Sequence, residues 1–364
     1  MNTTQKESRR RLPFFGSSSA KPDQIVAIDL GSRTTKAVYL QRNGDGFSLL
    51  RYAIQDAPIY DKTPSAELLG EHLRSITQAL EPKTKQVTLA IGMADSILRT
   101  AELPQMPVSE MRLMLKFNTK NYLQQELPDH VFDCSILAPR NGVKAEPAKA
   151  AAPAKFKVWV GGARNQFVND LQKATRAAGL IPDQITLSAL GPVNAFEKAQ
   201  PESFVKEVIA LVDIGFRNST INILCEGELA LSRVVAIGGD KITTGLSEAL
   251  GISYAEAEGI KVGMPTEVES SLQPLVSPLG RELRASIDFF EHQQEKTVSQ
   301  VYVSGGGARS EYLIQTLQTE LMAPCTNWNP ASFLAVALPP QQIGELEQIA
   351  SQLTVALGAA ASSF

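Results

Sequence analysis

Two segments of the chain carry the same short pattern, in which an aspartate and a glycine end an apolar run. Asp29-Leu-Gly31 and Asp213-Ile-Gly215 each follow four apolar residues and lie about one domain length apart. A polar turn and a second apolar run come after each motif, which predicts two strand–turn–strand hairpins. Such a turn offers successive backbone amides to an anion, and glycine removes the Cβ that would block its approach. The pair therefore predicts a cleft that holds a nucleotide's phosphates from both sides.

Polar and basic residues in the two turns add candidate ligands. Hydroxyls can donate hydrogen bonds to phosphate oxygens, and basic side chains offset phosphate charge. Magnesium keeps several waters and is usually held by one or two carboxylates, so we predict Mg²⁺, bound through water, at Asp29 and Asp213. The other predicted ligands in the turns are Gly31, Ser32, Arg33, Thr34, Thr35, Lys36, Gly215, Asn218, Ser219 and Thr220.

A third glycine-rich turn, residues 305–307, follows a predicted strand and precedes a predicted helix. Bare backbone lets a flat base lie against the chain, and the start of the helix adds partial positive charge. Glu258 and Lys261 are three residues apart on another predicted helix, so they share one face and suit ribose hydroxyls. Taken alone, these motifs are also typical of an ordinary turn and of a solvated ion pair.

The order of these motifs resembles the actin-like ATPase superfamily. More narrowly, it is similar to the PilM branch of type IV pilus assembly proteins, close to the division protein FtsA. The likeness rests on residues 28–36, on Gly238-Gly239-Asp240 with the segment 255–261, and on the segment between the two hairpins, and it covers residues 23–361. It implies an α/β chain with the actin-like ATPase fold: two lobes of duplicated mixed-sheet domains around a nucleotide cleft, with an inserted subdomain of the FtsA/PilM type.

The resemblance also implies the cofactors ATP and Mg²⁺ and their ligands. It places the first phosphate loop at residues 29–36, the second at 213–220 and the adenosine loop at 305–309. Outside the two turns, the ligands that it implies are Gly238, Gly239, Asp240, Glu258, Lys261, Gly305, Gly306, Gly307 and Arg309.

A docking function follows from the same resemblance. Members of the branch are cytoplasmic and bind the short cytoplasmic tail of a PilN-like bitopic inner-membrane protein, in a groove beside the inserted subdomain. This places the partner surface near residues 104–180. A helix face around Met111, Met114, Leu115 and Phe117 is a candidate, because methionines and aromatics adapt to partner chains, and core packing is the alternative. Pilus-assembly ATPases and self-association are further partners that the resemblance leaves open.

Composition argues against several other classes of protein. A net charge of −3 gives no support for nucleic-acid binding. Cys134, Cys225 and Cys325 lie far apart, which favours reduced cysteines in a cytosolic protein over a disulfide or zinc framework. No apolar run is long enough to cross a bilayer. We therefore expect a cytoplasmic protein, and the resemblance implies that it is peripheral at the inner membrane through its partner.

Periodicity and loop composition predict the organisation of the chain. The predicted parts are a disordered basic tail over 1–22, lobe I over 23–103 and 183–208, an inserted unit over 104–182 with a mobile loop at 139–155, lobe II over 209–342, and a C-terminal helix over 343–364 that packs on lobe I. The small residues from Gly358 onward predict a frayed end.

The sequence leaves the enzymatic activity open. No residue stands out by its spacing as the group that orients attacking water, so we expect a nucleotide-dependent scaffold or switch with slow hydrolysis if any. The alternatives are a small-molecule kinase of the same superfold and an FtsA-like filament protein.

Overall fold

The computed structural model describes residues 21–60, 63–137 and 155–364. Apart from their last one or two positions, the predicted basic tail and the predicted mobile loop lie outside these residues.

The strands are β1 Gln24–Leu30, β2 Thr34–Asn43, β3 Gly46–Asp56, β4 Gln86–Ile91, β5 Ser96–Pro104, β6 His130–Ile136, β7 Lys155–Arg164, β8 Ile181–Leu187, β9 Val208–Ile214, β10 Ser219–Cys225, β11 Glu228–Val235, β12 Gln300–Ser304, β13 Cys325–Asn327 and β14 Leu334–Val336.

The α-helices are α1 Ala66–Leu80, α2 Val108–Leu123, α3 Asn165–Ala177, α4 Gly191–Ala199, α5 Pro201–Lys206, α6 Gly239–Leu250, α7 Tyr254–Gly263, α8 Glu269–Gln294, α9 Glu311–Leu321, α10 Pro340–Ile349 and α11 Thr354–Ser363.

Lobe I is built on a sheet with the strand order β14-β3-β2-β1-β4-β8. At its centre, β1 pairs antiparallel with β2 and parallel with β4. Residues 25–28 of β1 are fully buried, because helices cover both faces of the sheet. The carboxyl end of β1, with Asp29, therefore opens at one edge of a rigid layer.

Lobe II repeats this arrangement on a sheet with the order β11-β10-β9-β12-β13. Here β9 pairs antiparallel with β10 and parallel with β12, as β1 does with β2 and β4. Asp213, near the end of β9, occupies the place that Asp29 has in β1. The predicted α/β class with two duplicated mixed sheets is thus confirmed.

A third, smaller sheet has the order β5-β7-β6 and shares a core with one face of α2. This sheet already includes Ser96–Pro104, and it ends at Arg164, whereas we predicted an inserted unit over 104–182. Beyond Arg164, α3 packs on α1, and β8 pairs with β4 in lobe I. The boundaries differ because β5 and β7 pair along nearly their whole length, so β5 belongs to the third sheet and not to lobe I.

The end of the chain returns to lobe I. Strand β14 pairs with β3, and α11 packs on β1 and α4. Ala359 and Ala360 are fully buried, so the prediction of a frayed end from Gly358 onward was wrong. Small side chains here allow a close helix contact, because a Cβ on Gly358 would overlap the carbonyl oxygen of Gly191 in α4. Within the described ranges, no helix combines the length and the apolar character that a membrane span requires.

Candidate functional site

The cleft between the lobes is bordered by two hairpin turns with the same register. Asp29 on β1 lies opposite Lys36 on β2, and Asp213 on β9 lies opposite Thr220 on β10. We call residues 29–36 the first loop and residues 213–220 the second loop. The predicted repeat of the two motifs is therefore also a repeat in three dimensions.

Asp29 is buried at the floor of the first loop. Burial raises the pKa of its carboxyl, and the ammonium group of Lys36, 3.7 Å from the carboxylate, opposes that rise. Lys36 is half-buried and lies beside Gly31. A buried acid with one cationic neighbour is arranged to accept further positive charge from the cleft.

Asp213 has a different partner. Ser304, at the end of β12, donates a hydrogen bond of 2.9 Å to its carboxylate. The pKa of Asp213 is raised to about 6. Burial is the largest cause and the negative charge of Asp29 adds to it, whereas the hydrogen bond from Ser304 opposes the rise. The charge of Asp29 on lobe I therefore acts on Asp213 of lobe II. Paired carboxylates of this kind suit a bound cation.

Glycine is sterically required in both loops. A Cβ on Gly31 would lie 2.5 Å from the carbonyl oxygen of Thr34, and one on Gly215 would lie 2.8 Å from the carbonyl oxygen of Asn218. The amide of Gly215 donates to that same Asn218 oxygen at 3.1 Å. Each turn is therefore too tight to accept a side chain at its glycine.

The second loop is fixed to the start of α6. The amides of Gly239 and Asp240 donate to the carbonyls of Gly215 and Phe216, both at 2.9 Å. A Cβ on Gly238 would overlap the carbonyl of Phe216, so this glycine permits the close approach. Residues 238–240, which we predicted as ligands, therefore hold the second loop in place through hydrogen bonds to its backbone.

Lys261 of α7 is buried and makes two short hydrogen bonds. Its ammonium group donates to Thr243 and to Glu258, both at 2.6 Å, and the single hydroxyl proton of Thr243 lies within reach of the Glu258 carboxylate at 2.6 Å and of the Gly239 carbonyl at 2.9 Å. Burial raises the pKa of Glu258, but the hydrogen bonds from Lys261 and Thr243 bring it below its usual range. Lys261 is therefore buried beside Gly239 and Thr243, whereas the Glu258 side chain is 45% exposed.

The third loop, residues 305–309, lies against the end of β9. Gly305 has a φ of 86°, and a Cβ there would lie 2.5 Å from the carbonyl oxygen of Ile214. A Cβ on Gly307 would likewise overlap the side chain of Ile214. The exposed Arg309 helps to lower the pKa of Glu258, so the third loop and α7 border the same side of the cleft.

Some predicted hydroxyl ligands are engaged inside the protein. The Thr35 hydroxyl lies 2.8 Å from Nε2 of His72 on α1, and Ser219 donates at 2.7 Å to the carbonyl of Ile237. Both residues are buried. Ser32, in contrast, is exposed at the tip of the first loop. The roles of all these residues as ligands stay predictions.

Three residues of the site were missed in the sequence. Thr243 joins Lys261 and Glu258, His72 contacts the first loop, and the Tyr254 hydroxyl lies near Asp240 and Thr243. Thr243 follows Gly239 by one helical turn, which was a usable signal. The other two come from helix positions whose orientation depends on packing between elements.

Arg33 reaches across the cleft from lobe I to lobe II. Its guanidinium carbon lies 5.3 Å from the centre of the Phe216 ring and 5.6 Å from the centre of the Tyr254 ring. These distances are within the range of cation–π attraction. The tips of the first and second loops are therefore in direct contact.

Away from the cleft, a concavity of about 750 Å³ lies between the third sheet and α3. Its wall includes Asp129, His130, Arg164 and Lys173. An adjoining concavity of about 320 Å³ shares Asp129 and His130 and extends to Leu113 of α2. We call the two together the side groove.

The predicted partner face on α2 is only partly available. Met111 and Leu115 are fully buried in the core of the third sheet, so core packing, the alternative, holds for both. Met114 is half-buried. Phe117 is 72% exposed and Leu113 is 59% exposed, on the opposite side of the helix. The apolar surface that α2 offers is therefore Leu113 and Phe117.

Two curated relatives are cell division proteins FtsA. The protein of Neisseria meningitidis serogroup B is 23% identical over 247 residues, which cover 66% of this chain and 55% of FtsA. The protein of Bacillus subtilis is 33% identical over 95 residues, which cover 26% of this chain and 21% of FtsA. The chain thus matches about half or less of the length of these relatives.

Solved structures show the same fold. A chain of the PilM-PilN type IV pilus biogenesis complex superposes with a TM-score of 0.78 at 22% identity, over 94% of this chain and 99% of that one. EutJ of Carboxydothermus hydrogenoformans gives 0.53 at 15% identity, over 95% and 92%. MreB5 of Spiroplasma citri bound to AMPPNP gives 0.51 at 12% identity, over 93% and 95%. The actin-like ATPase fold is thereby confirmed.

The family comparison covers nearly the same residues as the resemblance seen in the sequence. The sequence profile described as type IV pilus assembly protein PilM matches residues 27–364, from the middle of β1 to the last residue. The match includes all three loops, the third sheet and α11. The chain therefore belongs to the PilM family of type IV pilus assembly proteins.

Proposed function

We propose that this chain binds Mg-ATP between its first and second loops and acts as a nucleotide-dependent scaffold in the assembly of a type IV pilus. The observation that carries the proposal is the matched pair of hairpins, with Asp29 close enough to Asp213 for its charge to raise the pKa of Asp213. The backbone at Gly31 and Gly215 would bind the phosphates from both sides. Crystallised MreB5, which shares the fold, was bound to the ATP analogue AMPPNP, in keeping with this ligand class.

The donor set fits magnesium. Carboxylate oxygens are the ligands that Mg²⁺ prefers, and the ion usually takes its remaining ligands from water and phosphate. The described ranges contain no group of three or more acidic, histidine or cysteine residues arranged for a metal, so the protein would supply Asp29 and Asp213 alone. When bound, the ion would neutralise phosphate charge. The residues themselves hold the ion's waters and keep two negative charges close together.

The nucleoside would lie on the lobe II side of the cleft. Gly306, where a Cβ would meet no atom within 4 Å, presents bare backbone for a base, and the half-buried carboxylate of Glu258 can accept hydrogen bonds from ribose hydroxyls. Lys261 holds Glu258 in place and lies beside Gly239. We expect slow hydrolysis, because none of these groups stands out as a general base that would activate the attacking water.

The proposed docking site for the partner is the side groove. A PilM-like chain has been solved in a PilM-PilN complex, and we infer a PilN-like cytoplasmic tail as the partner here, which would hold this protein at the inner membrane from the cytoplasm. Leu113 offers an apolar contact. Burial and the nearby charge of Arg164 lower the pKa of His130, which favours a neutral ring in the wall of the groove.

Titration calorimetry tests the nucleotide part of the proposal. The full chain should bind Mg-ATP at micromolar to sub-millimolar concentration, and Asp29→Asn should weaken binding at least tenfold. Asp23→Asn, an exposed carboxylate just before β1, is the matched control and should bind like the wild type. Absence of binding by the wild type at millimolar nucleotide would reject the site.

A further inference from the structure

Arg33 is the residue through which the first loop touches lobe II. It lies at the tip of the turn between β1 and β2, and its guanidinium is placed against Phe216 of the second loop and Tyr254 at the start of α7. We call this contact the Arg33 bridge. Arg33 remains exposed, and both rings are half-buried. The charge is therefore held at the mouth of the cleft without being neutralised by the rings.

The bridge is well placed to influence the separation of the lobes. Phe216 is fixed to α6, because its carbonyl accepts the Asp240 amide at 2.9 Å. Tyr254 belongs to the same region, because α7 packs on α6 and the side chains of Asp240 and Thr243 lie near the Tyr254 hydroxyl. Both rings thus belong to one supported part of lobe II, and the residue that meets them belongs to lobe I. A change in cleft width must alter these two contacts.

Two aromatic rings stabilise an arginine guanidinium less than a bound phosphate does. At an exposed site, one cation–π contact changes an equilibrium by about two- to fivefold. An arginine–phosphate pair is charge-assisted and can be bidentate, so it is stronger. Phosphates bound by Gly31 and Gly215 would end close to Arg33, because these glycines lie two residues before Arg33 and one before Phe216.

From this arrangement we propose that Arg33 controls the width of the cleft and is drawn from its two rings to the terminal phosphate of a nucleoside triphosphate. This inference rests on the proposed nucleotide site and adds to it a residue that distinguishes a triphosphate from a diphosphate. Without nucleotide, the rings hold Arg33 and the lobes together. With a triphosphate, the ligand takes over the guanidinium and the closed arrangement is kept by phosphate contacts.

Two measurements on the full-length chain test the inference. The first compares the affinities for Mg-ATP and Mg-ADP by calorimetry. Arg33→Ala should weaken ATP binding by at least tenfold and ADP binding by less than threefold, and Arg33→Lys should fall in between. Arg281→Ala, which removes an exposed arginine on α8, is the charge control and should leave both affinities unchanged. Equal losses for ATP and ADP in Arg33→Ala, or no loss, would overturn the inference.

The second measurement needs no nucleotide. Spin labels at Glu71→Cys on α1 and Glu248→Cys on α6, both exposed positions, report the distance between the lobes after the half-buried Cys325 is replaced by serine. The distribution should broaden or shift to longer distances in Arg33→Ala and in Phe216→Ala, but not in Arg281→Ala. An unchanged distribution in both would overturn the bridge. If the wild type bound neither nucleotide, the proposed function would fall, and this distance would still decide whether Arg33 joins the lobes.

Discussion

Asp29 and Asp213 hold the same position in two matching hairpins, yet each has a different stabilising partner. Each is the last residue but one of its strand and lies next to a parallel strand, β4 for Asp29 and β12 for Asp213. Lys36 makes an ion pair with Asp29, whereas Ser304 donates a hydrogen bond to Asp213. The duplication therefore gives each lobe one carboxylate at the same place, and burial raises the pKa of both, to about 6 for Asp213.

Protonation of Asp213 should make nucleotide binding depend on pH. With a pKa of about 6, Asp213 loses the charge needed for a magnesium ion as the pH falls through 6. Mg-ATP affinity measured by calorimetry should therefore fall between pH 7.5 and 5.5, whereas Asp213→Asn should bind weakly at both values. A wild-type affinity that stays constant over this range would contradict the role of Asp213.

The same shift predicts a change in stability without nucleotide. Because the folded state raises the pKa of Asp213 from 3.8 to about 6, it binds more protons than the unfolded state between these values. The free energy of unfolding contributed by Asp213 therefore decreases as the pH rises from about 4 to 6. Asp213→Asn should be more stable than the wild type by about 2 kcal/mol at pH 7.5 and similar to it near pH 4. Urea denaturation at the two pH values measures both differences, and a less stable variant at pH 7.5 would contradict the prediction.

Replacing Lys261 should affect ligand binding more than folding. Lys261→Met keeps the length of a buried side chain but removes the ammonium group that positions Glu258. We expect Mg-ATP affinity to fall about tenfold or more, with the free energy of unfolding changed by less than about 1.5 kcal/mol. Lys241→Met, on an exposed position of α6, is the control. Wild-type affinity in Lys261→Met would remove this residue from the site.

Leu113 and Phe117 on α2 allow a matched test of the side groove. Both are exposed, but only Leu113 borders the groove. Leu113→Asp should weaken binding of a synthetic cytoplasmic-tail peptide of the cognate PilN-like protein at least tenfold, measured by fluorescence anisotropy, and Phe117→Asp should have little effect. If Phe117→Asp abolished binding and Leu113→Asp did not, the partner would lie on the outer face of α2.

The close contact between α4 and α11 predicts an unusual response to alanine. Gly→Ala within a helix normally stabilises a protein by roughly 0.4–1 kcal/mol, and Gly344→Ala in α10, where no atom lies near the new methyl group, should do so. Gly358→Ala should destabilise the protein by about 2–4 kcal/mol, because its methyl group would overlap the backbone of Gly191. Thermal unfolding distinguishes the two, and a stabilised Gly358→Ala variant would show that α11 is not packed this closely.

Much of the site could be read from the sequence because local geometry determines it. An aspartate and a glycine at the end of an apolar strand specify a hairpin turn, and both turns lie where they were predicted. Glu258 and Lys261 share a helix face through their spacing alone. The Arg33 bridge could not be predicted, because Phe216 and Tyr254 meet Arg33 only through the placement of two lobes. Nor could the burial of Met111 and Leu115, since the same helical spacing suits a partner face and a core face.

The packing of the C-terminal segment could not be predicted from the sequence either. Gly358 and the alanines after it have little side-chain surface, so the sequence suggested a weak end. The structure uses this lack of side chains to bring α11 against α4 and β1, and burial follows from backbone proximity. Small residues can therefore indicate close packing as well as fraying, and only the position of Gly191 distinguishes the two.

The most direct test is a crystal structure of the full chain with Mg²⁺ and AMPPNP. We predict the triphosphate between Gly31 and Gly215, the metal within water-mediated reach of Asp29 and Asp213, and the base against residues 305–307. A nucleotide bound outside the cleft, or bound there with the two aspartates turned away from the metal, would contradict the proposed function.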